Sequence, residues 1–341
     1  MAKYFFIGGI NKGGTPRGGA EAKNQFLLKK LQSTYVDELD YVDMTSSTQS
    51  LIFRYLKLIK GILKHEHIIL SVASTALEKL AYLNFYLKKK KVTIFIIGGV
   101  VDQKLANPRM LQLFENANLV YAETKALTKS IKSISEKIPV KHLPNFKKLI
   151  EFTDRKKSNK DEIIKFVFLS RVHRDKGIFR AIETVKMLNK TSNNRRFILD
   201  IYGLLDLTNE DKTQFDKLTK SNDINYKGFL DLSLPDSLTT LSGYHFFIFL
   251  TNHPGEGFPG VLIDALHAGA IIIASDWKYN NEIVPQNSLI VNIVLKNYLN
   301  TIKKYINGVL NMEEETYHLE VKKLKEESVN YDINHINFKI A

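Results

Sequence analysis

The chain has 341 residues, of which 44% are hydrophobic and 25% charged, so it is long enough for two folded domains and its composition excludes a disordered or fibrous protein. It contains no cysteine, which excludes disulfides and thiolate chemistry and fits a reducing compartment. The net charge is +13. Residues 1–150 account for all of it, since they contain 24 Lys and Arg against 11 Asp and Glu. The first half is therefore expected to bind an anionic partner such as lipid head groups, a phosphorylated acceptor or nucleic acid.

Through the first half, short β-branched and aromatic segments alternate with longer amphipathic segments, a pattern typical of a parallel sheet covered by helices. The predicted strands are Tyr4–Ile7, Glu38–Tyr41, Ile68–Ser71, Val92–Ile97, Leu119–Tyr121 and Val140–His142. The predicted helices are Gly19–Leu31, Ser50–Lys64, Thr75–Lys88, Pro108–Phe114 and Lys125–Ile134. Residues 1–146 are therefore predicted to form one doubly wound domain.

Residues 147–162 are basic and poor in apolar side chains, which predicts an exposed linker. The alternating pattern then resumes over residues 163–310 and predicts a second domain of the same kind. Its predicted strands are Lys165–Leu169, Phe197–Tyr202, Ile224–Tyr226, Phe246–Leu250 and Ile271–Ala274. Residues 311–341 are predicted to include one long helix over Glu313–Val329 that crosses back toward the first domain.

Apolar runs are too short for a membrane-spanning helix, which needs ~18 residues. The longest are Val92–Val101 and Tyr244–Leu250. The segment Tyr4–Ile10 is short for a secretory signal and leads into Asn-Lys-Gly-Gly, where a cleavage site would need small residues. We therefore expect a protein of the cytoplasm.

A glycine-rich loop follows the first predicted strand, from Gly8 to Glu21. Glycines let backbone amides approach an anion closely, and a following helix directs its positive dipole end at it, so the loop is a candidate phosphate or sugar site. Its glycines do not have the G-x-G-x-x-G spacing of the dinucleotide fingerprint. The alternative is a flexible turn between strand and helix.

Two cations, Arg171 and Lys176, follow the first predicted strand of the second domain. Ligands of open α/β sheets gather outside the carboxyl ends of the strands. Arginine offers a planar fork and lysine a mobile point charge, and this pair suits a diphosphate. The alternative is a pair of solvated basic loop residues.

The densest motif runs from Thr251 to Gly269. Pro259 suits the first turn of a helix, which places Glu256 in the preceding loop and Asp264 inside the helix. An acid in an apolar helix is costly to bury alone, so Asp264 is expected to accept hydrogen bonds from a specific donor. The alternative is a capping or salt-bridge role for Asp264.

These motifs, in this order, resemble the family 4 retaining glycosyltransferases, which have the two-domain GT-B architecture. They are the loop ending Gly18-Gly19-Ala20-Glu21, the pair Arg171-x4-Lys176, and Glu256-x7-Asp264 before Ala268-Gly269-Ala270. The resemblance spans about residues 5–285 and is strongest from residue 165 onward. Three further segments resemble the bacterial capsule and exopolysaccharide branch, namely Gly98-Gly99, Glu123-Thr124-Lys125 and Leu143-Pro144-Asn145-Phe146-Lys147.

The resemblance implies an α/β fold of two Rossmann-like domains that face a cleft, with the acceptor bound by residues 1–146 and the nucleotide sugar by residues 163–310. It implies that Arg171 and Lys176 bind the donor diphosphate and act in catalysis together with Glu256, which would lie beside the donor sugar. Asp264, which stands where the family usually has Glu, would bind the ribose hydroxyls. The other donor-binding residues that it implies are Gly18, Gly19, Gly257, Phe258 and Pro259.

The implied reaction transfers a sugar with retention from a nucleotide diphosphate sugar, with UDP as the expected nucleotide, and the leaving phosphate takes the acceptor proton. No cofactor, metal or general base is expected. The expected acceptor is a lipid-linked saccharide of cell-surface polysaccharide synthesis, at the inner face of the membrane. Two alternatives remain: a GT-B nucleotide-sugar epimerase, and a basic nucleic-acid-binding or scaffold protein, although no nucleic-acid motif accompanies the charge.

Residues 51–64 have the pattern of an interfacial helix. Its apolar face is predicted to contain Leu51, Ile52, Tyr55, Leu56, Ile59, Ile62 and Leu63, and its basic face Arg54, Lys57, Lys60 and Lys64. The competing interpretation is an ordinary helix that covers the sheet with its apolar face, and both hold if the basic face meets anionic lipid. Together with Lys88–Lys91, this helix predicts contact with an anionic membrane.

Overall fold

The structure is a computed structural model that describes residues 3–12, 14, 16, 18–46 and 48–341. The chain divides into two compact units. Unit 1 consists of Met1–Lys148, Pro254–Pro259 and Ile333–Ala341, and unit 2 consists of Leu149–His253 and Gly260–Asp332. The short segment Pro254–Pro259, which the sequence places in the second domain, therefore packs with the first.

Unit 1 is a parallel six-stranded sheet with the strand order β2-β1-β3-β4-β5-β6. The strands are β1 (Tyr4–Gly8), β2 (Leu39–Asp43), β3 (His67–Ser71), β4 (Lys91–Phe95), β5 (Leu119–Ala122) and β6 (Val140–His142). The helices are α1 (Gly19–Thr34), α2 (Leu51–Lys64), α3 (Ser74–Leu80), α4 (Asn84–Leu87), α5 (Val101–Lys104), α6 (Pro108–Glu115) and α7 (Lys125–Ile134). The central strands are buried, as expected of parallel strands that have helices on both faces.

The single helix predicted over Thr75–Lys88 is wrong, because a 3₁₀ turn at Ala81–Leu83 separates α3 from α4. The break turns Asn84 inward, where its side-chain amide donates to the carbonyl of Arg109 at 3.0 Å. A buried amide needs such a partner, and no local pattern in the sequence identifies it.

The competing interpretation of α2, as an ordinary helix that covers the sheet with its apolar face, is also wrong. The buried residues of α2 are Leu58, Gly61 and Ile62. A Cβ at Gly61 would lie 2.1 Å from the ring of Phe5 in β1, so glycine lets the helix rest directly on the sheet. Most of the predicted apolar face therefore points away from the core.

Unit 2 repeats the architecture with the strand order β12-β11-β10-β7-β8-β9, again all parallel. The strands are β7 (Ile163–Leu169), β8 (Arg196–Tyr202), β9 (Ile224–Gly228), β10 (Phe246–Phe249), β11 (Ile271–Ser275) and β12 (Leu289–Val291). The helices are α8 (Ile178–Thr191), α9 (Asn209–Leu218), α10 (Pro235–Ser242), α11 (Gly260–His267), α12 (Tyr298–Leu310) and α13 (Glu314–Ser328). The sequence did not predict β12, which has three residues and is too short for a period-two pattern.

The predicted exposed linker contains residues that pack into unit 2. The ammonium group of Lys157 donates to the carbonyl oxygens of Tyr244 at 2.8 Å and Gly269 at 2.7 Å, and Asn159 is fully buried. Burial of the ammonium group, together with the nearby charge of Lys325, lowers the pKa of Lys157 to about 7. The interpretation of this part of the linker as solvated is therefore wrong, because the Lys157 side chain donates hydrogen bonds to backbone carbonyl groups inside unit 2.

The end of the chain belongs to two different units. Helix α13 packs against α11 within unit 2, whereas the residues from Ile333 onward belong to unit 1. There Phe338 stacks on Phe146 with 6.2 Å between the ring centroids. Within the part of the chain that the structure describes, every helix is too short or too polar to cross a lipid bilayer.

Candidate functional site

Arg171 lies just beyond β7, at the carboxyl edge of the sheet of unit 2. Its Nη1 donates to Asp206 Oδ2 at 2.8 Å, and both side chains are about half exposed. An exposed ion pair of this kind contributes little free energy, about 0–1 kcal/mol, because solvent screens it. The guanidinium is therefore oriented by a carboxylate that an anionic ligand can replace at small cost.

Lys176 ends a 3₁₀ turn, Arg174–Lys176, that is fixed to the end of β10. The carbonyl of Asp175 in this turn accepts from the backbone amide of Asn252 at 2.8 Å and from Thr251 Oγ1 at 3.1 Å. These bonds hold the turn at the same carboxyl edge that carries Arg171.

Gly177 allows the close approach of the turn to β10. Its φ is +87°, and a Cβ there would lie 2.2 Å from the carbonyl oxygen of Leu250. Only glycine combines a left-handed conformation with such a contact at low cost. Helix α8 begins at the next residue, so the position of its amino end depends on this glycine.

Asp264 is buried on α11, where its neighbours in sequence are apolar. Burying a carboxylate without compensation is costly, so this position favours an acid with a specific role over a solvated one. Helix α11 packs against α13 within unit 2, which fixes its orientation.

Glu256 lies on the segment Pro254–Pro259, which packs within unit 1, and it is buried. A Cβ at Gly99 would lie 1.8 Å from the carbonyl oxygen of Glu256, and one at Gly257 would lie 2.9 Å from the backbone of Gly98. Two glycines after β4 and one in the segment therefore let the two backbones touch. The Glu256 segment is thus held by close backbone contact with the residues that follow β4.

A buried ion pair also contacts the Glu256 segment. Lys23 on α1 donates to Glu123 Oε1 at 2.6 Å, and the other carboxylate oxygen of Glu123 accepts from the backbone amide of Phe258 at 3.5 Å. The side-chain amide of Asn145 donates to the carbonyl of Phe258 at 2.9 Å. Residues from α1 and from the loops that follow β5 and β6 thus hold one short segment.

The glycine-rich loop is held by Asp43 at the end of β2. The carboxylate accepts from the backbone amides of Ile10 and Lys12, both at 2.9 Å, and these bonds lower the pKa of Asp43 although burial opposes the shift. These two amides are therefore bound to the protein itself. The predicted loop residues Gly13, Thr15 and Arg17 lie outside the described residues.

Gly18 and Gly19 stand at the amino end of α1, with Gly18 as the N-cap residue. Among the described residues, no atom lies within 4 Å of a Cβ placed at either position. Packing within this described part of the chain therefore does not require glycine at these two positions. The described contacts do not explain why both positions are glycine.

The structure thus divides the predicted site residues between the units. Arg171, Lys176 and Asp264 belong to unit 2, and Gly18, Gly19, Glu256, Gly257, Phe258 and Pro259 belong to unit 1. Sequence reasoning gave no role to the residues that contact and hold these site residues, namely Lys23, Gly99, Glu123, Asn145 and Asp206. The motifs around Gly98, Glu123 and Asn145 were visible as a resemblance, and their convergence on one segment was not.

The chemistry available at the carboxyl edge of unit 2 is the neutralisation of an anion. Arginine and lysine there can bind phosphate oxygens, and fixed cations stabilise negative charge that develops on a leaving group. Among the described residues, no three His, Asp or Glu side chains come together as a group that could hold a metal ion.

The chain matches a known protein family. The model described as glycosyl transferases group 1 matches residues 150–326, which is more than half of the chain. No curated protein sequence matches the chain.

Several solved structures share the fold over most of this chain. HepE of Anabaena, solved in complex with UDP and glucose, has a TM-score of 0.66 and 14% identity, and the match covers 98% of this chain and 96% of HepE. Sucrose-phosphate synthase of Thermosynechococcus elongatus has a TM-score of 0.72 and 13% identity, with 97% of this chain and 95% of that chain covered. A variant of TarM of S. aureus, solved with UDP, matches with a TM-score of 0.60 and 18% identity, over 83% of this chain and 55% of TarM.

Proposed function

We propose that the protein transfers a sugar with retention from a nucleotide diphosphate sugar to a lipid-linked saccharide. The proposal starts from two facts: the chain belongs to the glycosyl transferases group 1, and it has the GT-B fold. The observation that carries the donor assignment is the pair Arg171 and Lys176 at the carboxyl edge of the sheet of unit 2. Ligands of open α/β sheets bind at this edge. The donor nucleotide is UDP, which HepE and TarM carry in their complexes.

In the proposed reaction, the bond between the anomeric carbon and the diphosphate oxygen breaks while the acceptor hydroxyl forms a new bond on the same face of the sugar. The negative charge that develops on the diphosphate is neutralised by Arg171 and Lys176, and the leaving phosphate takes the proton of the acceptor hydroxyl. Asp264 accepts hydrogen bonds from the ribose hydroxyls, and Glu256 lies beside the donor sugar. The backbone at Gly18 and Gly19 approaches the donor, and no metal takes part.

The backbone geometry of the Glu256 segment supports this assignment of roles. Gly257, Phe258 and Pro259 follow Glu256, and the segment is held by backbone contacts to Gly98 and Gly99. A rigid support is what a catalytic carboxylate needs, because a displacement of about 1 Å is enough to slow a reaction strongly.

The proposed acceptor is a lipid-linked saccharide of cell-surface polysaccharide synthesis in a bacterium, and the protein acts at the inner face of the membrane. The support is the charge of residues 1–150, with 24 Lys and Arg against 11 Asp and Glu. A basic surface of this kind is attracted to the anionic lipids of the cytoplasmic leaflet.

The test is a panel of nucleotide diphosphate sugars added to the purified protein. A donor that binds the folded state raises its melting temperature, and UDP-sugars are expected to do so more than GDP- or ADP-sugars. Incubation with the donor and a lipid-linked saccharide should then give a product whose anomeric configuration, measured by NMR, equals that of the donor, in the presence of EDTA as well as in its absence. Inversion of the configuration, or a requirement for metal, would contradict the mechanism. Release, without an acceptor, of a free sugar whose configuration is changed at a ring carbon would identify an epimerase instead.

A further inference from the structure

Helix α2 presents a line of apolar side chains to solvent. Ile52, Leu56, Ile59 and Leu63 are spaced by three or four residues, so they lie along one side of the helix, and their exposed fractions are 74%, 63%, 49% and 56%. A helix at the surface of a soluble protein normally buries such a line against the core. Here the core side is a different one, formed by Leu58, Gly61 and Ile62.

A second group of exposed apolar side chains lies on a neighbouring segment. Helix α4 packs against α2, and the exposed fractions of Tyr82, Phe85 and Tyr86 around it are 67%, 62% and 47%. The ammonium group of Lys90 donates to the carbonyl of Leu63 at 3.0 Å and joins the two segments. We call this region the α2–α4 surface, defined by Ile52, Leu56, Ile59, Leu63, Tyr82, Phe85 and Tyr86.

Lysines border the α2–α4 surface. Lys60 and Lys64 are exposed beside the apolar line, and Lys88 and Lys89 lie over the ring of Phe85 at 5.3 and 5.2 Å from its centroid. Residues 51–91 hold nine Lys and Arg against two Glu. Two copies of this surface would bring like charges together, which disfavours a second copy of the chain as the occupant.

We propose that the α2–α4 surface is the part of the protein that enters a membrane containing anionic lipid, with the apolar line and the aromatic rings at the level of the acyl boundary and the lysines at the head groups. Aliphatic side chains gain free energy by leaving water, aromatic rings favour the interface, and each lysine is attracted by anionic head groups. A nucleic acid would use the lysines but leave the aliphatic line in water. This inference rests on the proposed function for the acceptor at the membrane and adds the surface that docks there.

The experiment is co-sedimentation of the full-length protein with vesicles of phosphatidylcholine alone and of phosphatidylcholine mixed with phosphatidylglycerol. The wild type should bind the mixed vesicles and bind them less at high salt, since salt screens the lysines. The variant Leu56→Ser/Ile59→Ser should reduce the partition coefficient about tenfold or more, because both side chains are apolar anchors. The variant Lys60→Gln/Lys64→Gln should reduce it about tenfold for the mixed vesicles alone.

The matched control for the apolar line is Leu234→Ser/Leu319→Ser, which replaces leucines of unit 2 with exposed fractions of 52% and 51%. The control for charge is Lys212→Gln/Lys217→Gln, on the exposed side of α9. Both controls should bind like the wild type. All variants should keep the calorimetric affinity for the donor nucleotide, so loss of vesicle binding is separable from failure of the proposed transferase function.

Three outcomes would overturn the inference. The first is wild-type binding that is equal for neutral and mixed vesicles, and the second is vesicle binding that the Leu56→Ser/Ile59→Ser variant retains. The third is a lipid-free dimer that this variant dissociates, because the surface would then be an interface between copies.

Discussion

Lys23 and Glu123 form an ion pair with 2.6 Å between Nζ and Oε1, and the exposed fractions of their side chains are only 4% and 5%. The pair joins α1, which follows the glycine-rich loop, to the end of β5. Because the second carboxylate oxygen of Glu123 faces the backbone amide of Phe258, the pair also fixes the segment that carries Glu256. Two regions that the sequence places far apart share one buried charge pair.

Removing one member of this pair should destabilise unit 1. Lys23→Met leaves the carboxylate of Glu123 buried without its cation, at a cost of about 3–5 kcal/mol, whereas Lys23→Met/Glu123→Leu removes both charges and should recover much of the loss. The measurement is the melting temperature of each variant. The control is Lys322→Met, which breaks an exposed pair with Glu326 and should have little effect. A double variant no more stable than Lys23→Met would contradict the charge argument.

Two glycine substitutions should have opposite effects on stability. Gly177→Ala should destabilise unit 2 by about 1–3 kcal/mol, because alanine would be strained at φ +87° and would strike the carbonyl of Leu250. In Gly19→Ala the new methyl group, in the first turn of α1, would meet no atom of the described residues within 4 Å, and the change should stabilise the protein by about 0.4–1 kcal/mol. Denaturant titration measures both.

The same Gly19→Ala variant separates stability from function. If the backbone at Gly19 approaches the donor as proposed, the methyl group should raise the KM for the nucleotide sugar while the protein becomes more stable. Unchanged kinetics in the stabilised variant would remove Gly19 from the donor site.

Much of the fold was predictable because its signals are local. The apolar runs of β1, β5 and β10 and the bounds of α7, Lys125–Ile134, follow from residues near in sequence. The features that sequence reasoning missed depend on distant partners. Asp206 pairs with Arg171 across 35 residues, and Glu123 meets Phe258 across 135. No periodicity records which loops meet at the edge of a sheet. Candidate site residues could therefore be proposed from the sequence by residue type, whereas the residues that hold them in place could not.

Arg171→Ala should reduce transfer about a hundredfold or more, because a cation that stabilises the leaving diphosphate acts mainly in the transition state. The matched control is Arg196→Ala, since Arg196 is equally exposed and forms a similar ion pair with Asp223 at 2.7 Å, on the same unit. Both variants should melt like the wild type. Full activity of Arg171→Ala in a steady-state assay would refute the diphosphate assignment.

Asp206→Asn should tighten the binding of a nucleoside diphosphate up to about fivefold. If Arg171 binds the diphosphate as proposed, the carboxylate of Asp206, which accepts from Arg171, competes with the ligand, and the amide that replaces it competes less. Isothermal calorimetry with UDP measures the change, with Asp223→Asn as the control for the loss of a surface charge. Weaker binding in Asp206→Asn would instead show that Asp206 holds Arg171 in the binding orientation.

Lys157 should make the stability of the protein depend on pH. Its pKa is about 7 in the folded chain, below the value of 10.5 of an ordinary lysine, because the ammonium group is removed from water and lies near Lys325. Between pH 7 and 10.5 the unfolded chain therefore binds a proton that the folded chain does not, so stability rises with pH across this window. Below pH 7 the penalty of burying the charge is fully present.

The variant Lys157→Gln keeps a donor for the carbonyls of Tyr244 and Gly269 but has no charge to lose. The difference in unfolding free energy between wild type and Lys157→Gln should therefore shift in favour of the wild type as pH rises through the window. Denaturant titrations across it measure the difference, with Lys156→Gln as an exposed control in the same segment, and a difference that stays constant or shifts the other way would show that the ammonium group is not desolvated.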